Sequence, residues 1–305
     1  MIDYIIPFFF LATGVTANKL ILKVWNPGLL VGIRMFAAGI CLLSVAFYKQ
    51  GFGFWARIKK QWPYLLLLAA FATFFPAILK AYALKHTLSS KVALIGSLDP
   101  FLTALYSYIL WHERLNKKKW LGILLGFTGS VVLVLAQTTS GTVELFGRLS
   151  LAELAAFGSV CISRYGWIKV QQLLKAGVFN VKEINGICMF LSGIYSLTPT
   201  LLFTPTALSG ACDWKTLALL GYTIVGGNII GYSLYSQLLK KHSATFVSLA
   251  GFSMPIFVYL LGWLVVGESL YPSFIIASLI TFAGLLIFYQ EEIKEAFKSN
   301  QTTPK

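Results

Sequence analysis

Four charged side chains interrupt long apolar stretches of this 305-residue chain: Arg34, Lys80, Asp99 and Arg164. An ionisable group at membrane depth is costly, so each of them is a candidate for a functional role. Asp99 could bind an amine or take up a proton, and Lys80 could hold a carboxylate or a phosphate. Arg34 offers a planar fork that pairs with carboxylates through two hydrogen bonds. These residue types therefore favour the binding of a charged solute.

Each of the four also has a structural interpretation. Asp99 could form an ion pair with Arg34 or Lys80 instead of contacting a solute. Lys80 could extend its long stem to the membrane surface, and Arg34 could lie at the interface for purely structural reasons. Arg164 has Ser163 beside it and fits a cavity and the interface equally well.

A polar and aromatic face follows further along the chain. Asn228, Tyr232 and Tyr235 are spaced i, i+4 and i+7, so a helix would place them on one side. Such a face inside an apolar span is typical of a solute-lining surface. Hydrogen bonding between neighbouring helices explains it as well.

Two prolines and two glutamates occupy matching places in the two halves of the chain. Pro100 and Pro255 each remove a backbone donor within an apolar stretch, so we expect them to kink their helices and act as hinges around a cavity. Glu113 and Glu268 each follow such a stretch, just before the next one begins. A carboxylate near a helix N-terminus is stabilising, which indicates an architectural role for both.

The composition requires a membrane environment. Hydrophobic residues make up 57% of the chain, charged residues 12%, and the mean hydropathy is +0.75. A spanning helix needs about 20 mainly apolar residues. We read ten spans, with the longest loops near 49–61 and 138–149: residues 3–22, 28–48, 62–82, 90–111, 119–138, 150–172, 184–203, 215–237, 243–265 and 272–290.

An internal repeat organises these spans. Residues 84–129 align without a gap to residues 239–284, with 12 identities in 46 positions. Five spans per half is an odd number, so the second half is predicted to be inverted relative to the first. The predicted fold is all-α, with two inverted five-helix repeats at 1–140 and 141–290, and a short cytoplasmic tail at 291–305.

The net charge of +14 is explained by topology and does not require nucleic acid. With the N-terminus in the cytoplasm, the inside loops and tail hold 16 Lys and Arg residues and the outside loops hold 6. Cytoplasmic loops carry the excess of basic residues in membrane proteins. We therefore expect both termini in the cytoplasm of a bacterium, and the protein in its inner membrane among the lipids.

The repeat carries a resemblance to a known family. Residues 82–87 read YALKHT, residues 112–115 read HERL, and residues 120–129 read WLGILLGFTG. The second half repeats the pattern with a proline at position 255 and GESL at residues 267–270. This arrangement resembles the EamA domain of the drug/metabolite transporter superfamily. The resemblance implies ten helices, a cavity between the halves and alternating access.

Several activities lack the residues they require. The sequence has no P-loop, no H-E-x-x-H motif and no cysteine or histidine spacing for a metal. We therefore expect neither an enzyme nor a cofactor, and predict a secondary transporter for a small polar solute. The basic interior favours an amino acid or related zwitterion, followed by a nucleotide-linked or phosphorylated metabolite. A non-transporting receptor or assembly protein is the remaining alternative, and the sequence leaves monomer and homodimer open.

Overall fold

The computed structural model describes residues 2–50, 52–112, 115–136, 150–204, 213–241, 247, 250–269 and 272–290, and every regular element in these ranges is helical. The helices are, in chain order, α1 (Ile2–Ile21), α2 (Pro27–Gln50), α3 (Phe52–Ala69), α4 (Phe75–His86), α5 (Ser89–Gly96), α6 (Asp99–Trp111), α7 (Lys117–Ala136), α8 (Leu151–Lys175), α9 (Val181–Phe203), α10 (Trp214–Tyr222), α11 (Tyr232–Lys241), α12 (Ser253–Leu261) and α13 (Pro272–Phe288).

Apolar surface covers the outside of this bundle. Four helical stretches in the described ranges are long and apolar enough to cross a membrane: Pro27–Tyr48, Arg57–His86, Val181–Phe203 and Trp214–Lys241. Large side chains such as Leu202 and Leu264 are 70% and 66% exposed. Such an exterior is stable only where lipid surrounds it.

The predicted loop at 49–61 is wrong. Helix α2 runs to Gln50 and α3 begins at Phe52, so the described residues of that stretch are helical. Hydropathy hides the start of this helix because Arg57 and the run Lys59, Lys60 and Gln61 are polar. Arg57 forms an ion pair with the fully buried carboxylate of Glu183 and so joins α3 to the start of α9. The other predicted loop, 138–149, lies outside the described residues.

Three π-helical segments occur in the described ranges, and one of them, Gly262–Val266, follows directly on α12. Ala70–Phe74 links α3 to α4, and Thr223–Gly231 links α10 to α11. Adding 155 to the residue numbers of the first segment gives positions that lie within the second segment. Helix α8 approaches the first segment closely, since a Cβ on Gly166 would collide with the backbone of Ala72. Such π-turns are frequent at functional sites.

The helices around the two predicted hinge prolines are interrupted, which differs from the expected kink. Helix α5 ends at Gly96 and α6 begins at Asp99, with Pro100 as its second residue. In the matching region, α12 begins at Ser253 with Pro255 as its third residue. Proline is tolerated in the first turn because that turn has no intrahelical acceptors for its N–H groups. Each proline therefore starts a helix.

Two pairs of helices make the most intimate contacts: α2 with α9, and α7 with α13. Glycines allow these helices to touch. A Cβ on Gly193 would lie 2.6 Å from the Cα of Phe36, and one on Gly122 would lie 2.6 Å from the Cβ of Phe288. Small residues at such crossings maximise van der Waals contact between membrane helices.

Glu268 caps a distant helix rather than the one that follows it in sequence. Its carboxylate accepts hydrogen bonds from the backbone N–H and the hydroxyl of Ser89, both at 2.8 Å, at the N-terminus of α5. Gly267 makes this possible by turning the chain with φ +78°. Lys19 secures the preceding turn by donating to the carbonyls of Leu84 and Thr87, both at 2.6 Å. Glu113, the predicted counterpart, lies outside the described residues.

Candidate functional site

A central cavity of about 190 Å³ lies among α1, α2, α4, α5, α6, α8, α11, α12 and the π-helical segments that precede α4 and α11. Its walls draw on residues from both sides of the stretch 137–149. The cavity brings together all the solute-binding and hinge residues predicted from the sequence: Arg34, Lys80, Asp99, Pro100, Arg164, Asn228, Tyr232, Tyr235 and Pro255.

An ion pair joins the two parts of the chain inside this cavity. Arg164 Nε lies 2.9 Å from Asp99 Oδ1, and the two side chains are 9% and 33% exposed. The sequence analysis named Arg34 or Lys80 as the alternative partner of Asp99, and that expectation is wrong. Arg164 also donates from Nη2 to the hydroxyl of Tyr235 at 3.1 Å. Arg164 thus points inward, away from the membrane interface.

A second contact between the two parts involves Arg34 and Asn228. Arg34 Nη1 donates to Asn228 Oδ1 at 3.1 Å, and Asn228 Nδ2 donates back to the Arg34 carbonyl at 3.3 Å. Asn228 is fully buried. Its amide is therefore engaged between helices, which agrees with the structural alternative for this residue. Arg34 Nε is shielded and has no partner among the described residues.

Lys80 lines the cavity one turn after Pro76. Within the described ranges, its ammonium forms no hydrogen bond and no ion pair. It lies within electrostatic range of Asp99, which is opposite in charge, and of Arg34, which is like in charge. Its half-buried position in the cavity wall argues against the interfacial alternative.

Aromatic rings form one wall beside these charges. Trp167 stacks on Tyr232 with centroids 5.9 Å apart and meets Tyr235 edge-on at 5.2 Å. Phe8 also packs nearly perpendicular to Tyr235, with ring centroids 6.0 Å apart. The sequence analysis did not single out Trp167, although it lies three residues after Arg164 and therefore on the same helix face.

Other polar residues also line the cavity, and of those described next the sequence had drawn attention only to Ser159, near Arg164. Thr73, Ser97 and Ser159 use their hydroxyls to bond backbone carbonyls of Ala69, Leu94 and Pro76. Asn18 is different, because its carboxamide oxygen is buried and has no partner among the described residues. In the sequence, Asn18 could have been noticed as a lone asparagine within the mainly apolar α1.

The side chains that line the cavity are suited to binding a solute. No group of three His, Cys, Asp or Glu residues in the described part of the chain is placed to hold a metal ion. The lining offers fixed charges, amide groups and aromatic faces in an otherwise apolar cavity. Such a combination orients a small polar solute.

Comparisons with known proteins show which family the chain belongs to. The sequence profile of the EamA-like transporter family matches residues 3–135 and 150–290. The S-adenosylmethionine/S-adenosylhomocysteine transporter of Chlamydia muridarum is 28% identical over 95% of this chain and 91% of its own length. An uncharacterised transporter of Bacillus subtilis, YyaM, is 26% identical over 91% of this chain and 90% of its own.

A chloroplastic WAT1-related protein of Arabidopsis thaliana is 26% identical over 92% of this chain and 67% of its own. A crystal structure superposes with a TM-score of 0.66 over 93% of this chain and 95% of the other, at 19% sequence identity, which shows a shared fold. The family match covers nearly all of the described helices, and the apolar exterior is that of an integral membrane protein. The chain belongs to the EamA-like transporter family.

Proposed function

We propose that this transporter moves a small zwitterionic metabolite bearing an amino-acid group, and that S-adenosylmethionine and S-adenosylhomocysteine are the first solutes to test. The supporting observation is the charge pattern of a single cavity, in which Arg34, Lys80 and Arg164 accompany one acid, Asp99. Asp99 is paired with Arg164, so two positive charges remain to attract a carboxylate.

The aromatic wall supports the same class of solute. Trp167, Tyr232 and Tyr235 present ring faces and edges beside the charged groups. A planar heterocycle packs well against such rings, and a sulfonium cation is attracted to their faces. The name of the Chlamydia muridarum relative points to solutes that join an adenine ring to an amino-acid group, and S-adenosylmethionine also carries a sulfonium cation.

The proposed mechanism is alternating access by ten spans arranged as two inverted five-span halves. Matching elements support this arrangement, because α7 begins at Lys117 and α13 at Pro272, 155 residues later. The helices that contact most closely, α7 with α13 and α2 with α9, are also equivalent under this shift. Helices α6 and α12 would swing about the prolines at their starts and expose the site to each side in turn.

We also place the protein in a bacterial inner membrane with both termini in the cytoplasm. The distribution of basic residues supports this orientation, with 16 on the inner side and 6 on the outer side.

A phosphorylated or nucleotide-linked solute is the second candidate. The excess of positive charge in the cavity is the observation that favours it, because lysine and arginine are the usual ligands of phosphate groups.

Counterflow in proteoliposomes tests both candidates. Purified protein is reconstituted with unlabelled solute inside, and entry of labelled S-adenosylmethionine, S-adenosylhomocysteine, L-methionine or ADP is followed. We expect saturable entry of the S-adenosyl compounds. Entry of ADP alone supports the second candidate. Absence of entry for every solute, from protein with an intact melting transition, contradicts the proposed solute class and favours a receptor or assembly role.

A further inference from the structure

Most polar groups of the cavity already have partners within the protein. Asp99 and Tyr235 are engaged by Arg164, and Asn228 is engaged by Arg34. Buried polar groups are almost always hydrogen-bonded in native proteins, so each exception calls for an explanation, such as a bound ligand or an ordered water. The groups of the cavity that remain unpartnered are therefore the candidates for specific contacts with a solute.

Apart from Arg164 Nε, which is ion-paired with Asp99, three such groups line the cavity in the described part of the chain. Asn18 is only 7% exposed, and its Oδ1 accepts no hydrogen bond. Arg34 Nε is shielded and donates to no acceptor. The Lys80 ammonium has neither a hydrogen bond nor an ion pair. Two donors with positive charge and one neutral acceptor are thus unused.

The three groups come from α1, α2 and α4, and contacts of α4 with both other helices bound one corner of the cavity. Lys19, the neighbour of Asn18, donates to the carbonyl of Leu84 at 2.6 Å, which fixes this part of α1 against the end of α4. Leu84 and Lys80 are one helical turn apart, about 5.4 Å along the axis. Both line the cavity, and Lys80 is also within electrostatic range of Arg34.

We propose that this corner is the subsite for a free α-amino-acid headgroup. Lys80 and Arg34 Nε bind the carboxylate, and the Asn18 oxygen accepts a hydrogen bond from the ammonium. The Asp99–Arg164 pair stays intact and faces the rest of the solute. This assignment rests on the proposed function and deepens it, because it identifies which cavity groups select an amino acid and which hold the helices together.

The pattern of charges is complementary to that headgroup. A carboxylate accepts hydrogen bonds and is negative, whereas an ammonium only donates and is positive. A site built to pair with particular polar groups strongly rejects analogues that lack them, because its own buried groups are then left unpaired. The corner should therefore discriminate between solutes with and without the headgroup.

Equilibrium binding to purified protein in lipid nanodiscs tests the proposal with two probes. S-adenosylhomocysteine carries the headgroup, and 5′-methylthioadenosine has the same nucleoside with a methyl group in its place. We expect Asn18→Leu and Lys80→Met each to weaken S-adenosylhomocysteine binding at least tenfold and to leave 5′-methylthioadenosine binding unchanged. The control Lys85→Met, whose ammonium donates to the Trp25 carbonyl, should alter neither.

Thermal stability separates a binding role from a structural one. Asn185 donates to Ser236 and to the Tyr232 carbonyl, so Asn185→Leu should lower the melting temperature. The Asn18 side chain makes no such bonds to the described residues, and Asn18→Leu should leave the melting temperature of the solute-free protein unchanged or raised.

Three results would overturn the assignment. Unchanged S-adenosylhomocysteine binding in Asn18→Leu and Lys80→Met would refute the subsite and leave the proposed function standing. Equal losses for the two probes, or a melting temperature of Asn18→Leu as low as that of Asn185→Leu, would show a general structural role. Failure of the wild type to bind S-adenosylhomocysteine or L-methionine would remove the proposed solute class and the subsite with it.

Discussion

The carboxylate of Glu268 accepts both donors of Ser89, the backbone N–H and the hydroxyl, at 2.8 Å each. The two residues are 179 positions apart, and Ser89 is fully buried. Gly262 leaves room for the contact, since a Cβ there would lie 2.9 Å from Glu268 Oε2. A carboxylate at this position also complements the helix dipole of α5.

We expect Glu268→Gln to lower the free energy of unfolding by about 1 kcal/mol, because a neutral acceptor replaces a charge-assisted one. The melting temperature in detergent should fall by a few degrees. Ser89→Ala removes only the hydroxyl donor and should cost less. A Glu268→Gln protein as stable as the wild type would show that the contact contributes nothing.

The close crossing of α2 and α9 predicts intolerance of added volume. Gly193→Ala would place a Cβ 2.6 Å from the Cα of Phe36, so the helices must separate, at a cost of about 1–3 kcal/mol. Gly221→Ala is the matched control, because nothing lies within 4 Å of its Cβ position. That variant should be neutral or stabilising, since alanine favours helix. Equal melting temperatures for the two variants contradict this account.

The family, the all-helical fold and the apolar exterior could be predicted from the sequence because they depend on composition and local pattern. The π-helical segments could not, since Ala70–Phe74 adopts that form under contact with α8 around Gly166. The first part of helix α3, before residue 62, was missed for a related reason. Its polar residues, including Arg57, are stabilised by partners far away in sequence such as Glu183.

The candidate site could also be predicted from the sequence only in part. Charged residues in apolar stretches were sufficient to locate the cavity lining, because charge at that depth is rare. Their pairing was not predictable, since Asp99 and Arg164 meet only after the two parts of the chain assemble. Asn18 was missed because the feature that marks it is a buried oxygen without a partner among the described residues. Only the packed structure shows that feature.

The Asp99–Arg164 ion pair predicts strong coupling between two substitutions. Arg164→Met leaves the carboxylate without its partner, and we expect a loss of about 2–3 kcal/mol of stability. This is below the usual 3–5 kcal/mol for a fully buried pair, because the Asp99 side chain is 33% exposed. Adding Asp99→Asn should recover most of this loss of stability in melting experiments. We expect no counterflow from either the single or the double variant. Additive losses in the double variant would show that the pair is not a unit.

The proposed orientation predicts opposite labelling of two exposed lysine positions. Lys59 on α3 should face the cytoplasm, and Lys215 on α10 should face the outside. In a cysteine-free background, an impermeant maleimide added to intact cells should modify Lys215→Cys and leave Lys59→Cys unmodified until the cells are opened. The reverse pattern would place both termini outside.

The Asp99–Arg164 contact has a further consequence for how the chain can be divided. Each partner comes from a different side of the stretch 137–149, and the same is true of Arg34 and Asn228. Either fragment produced alone would carry an unmatched charge in its apolar interior. Two fragments divided within that stretch should therefore associate in the bilayer. Fragment complementation is the natural assay of whether the halves behave as separable building blocks.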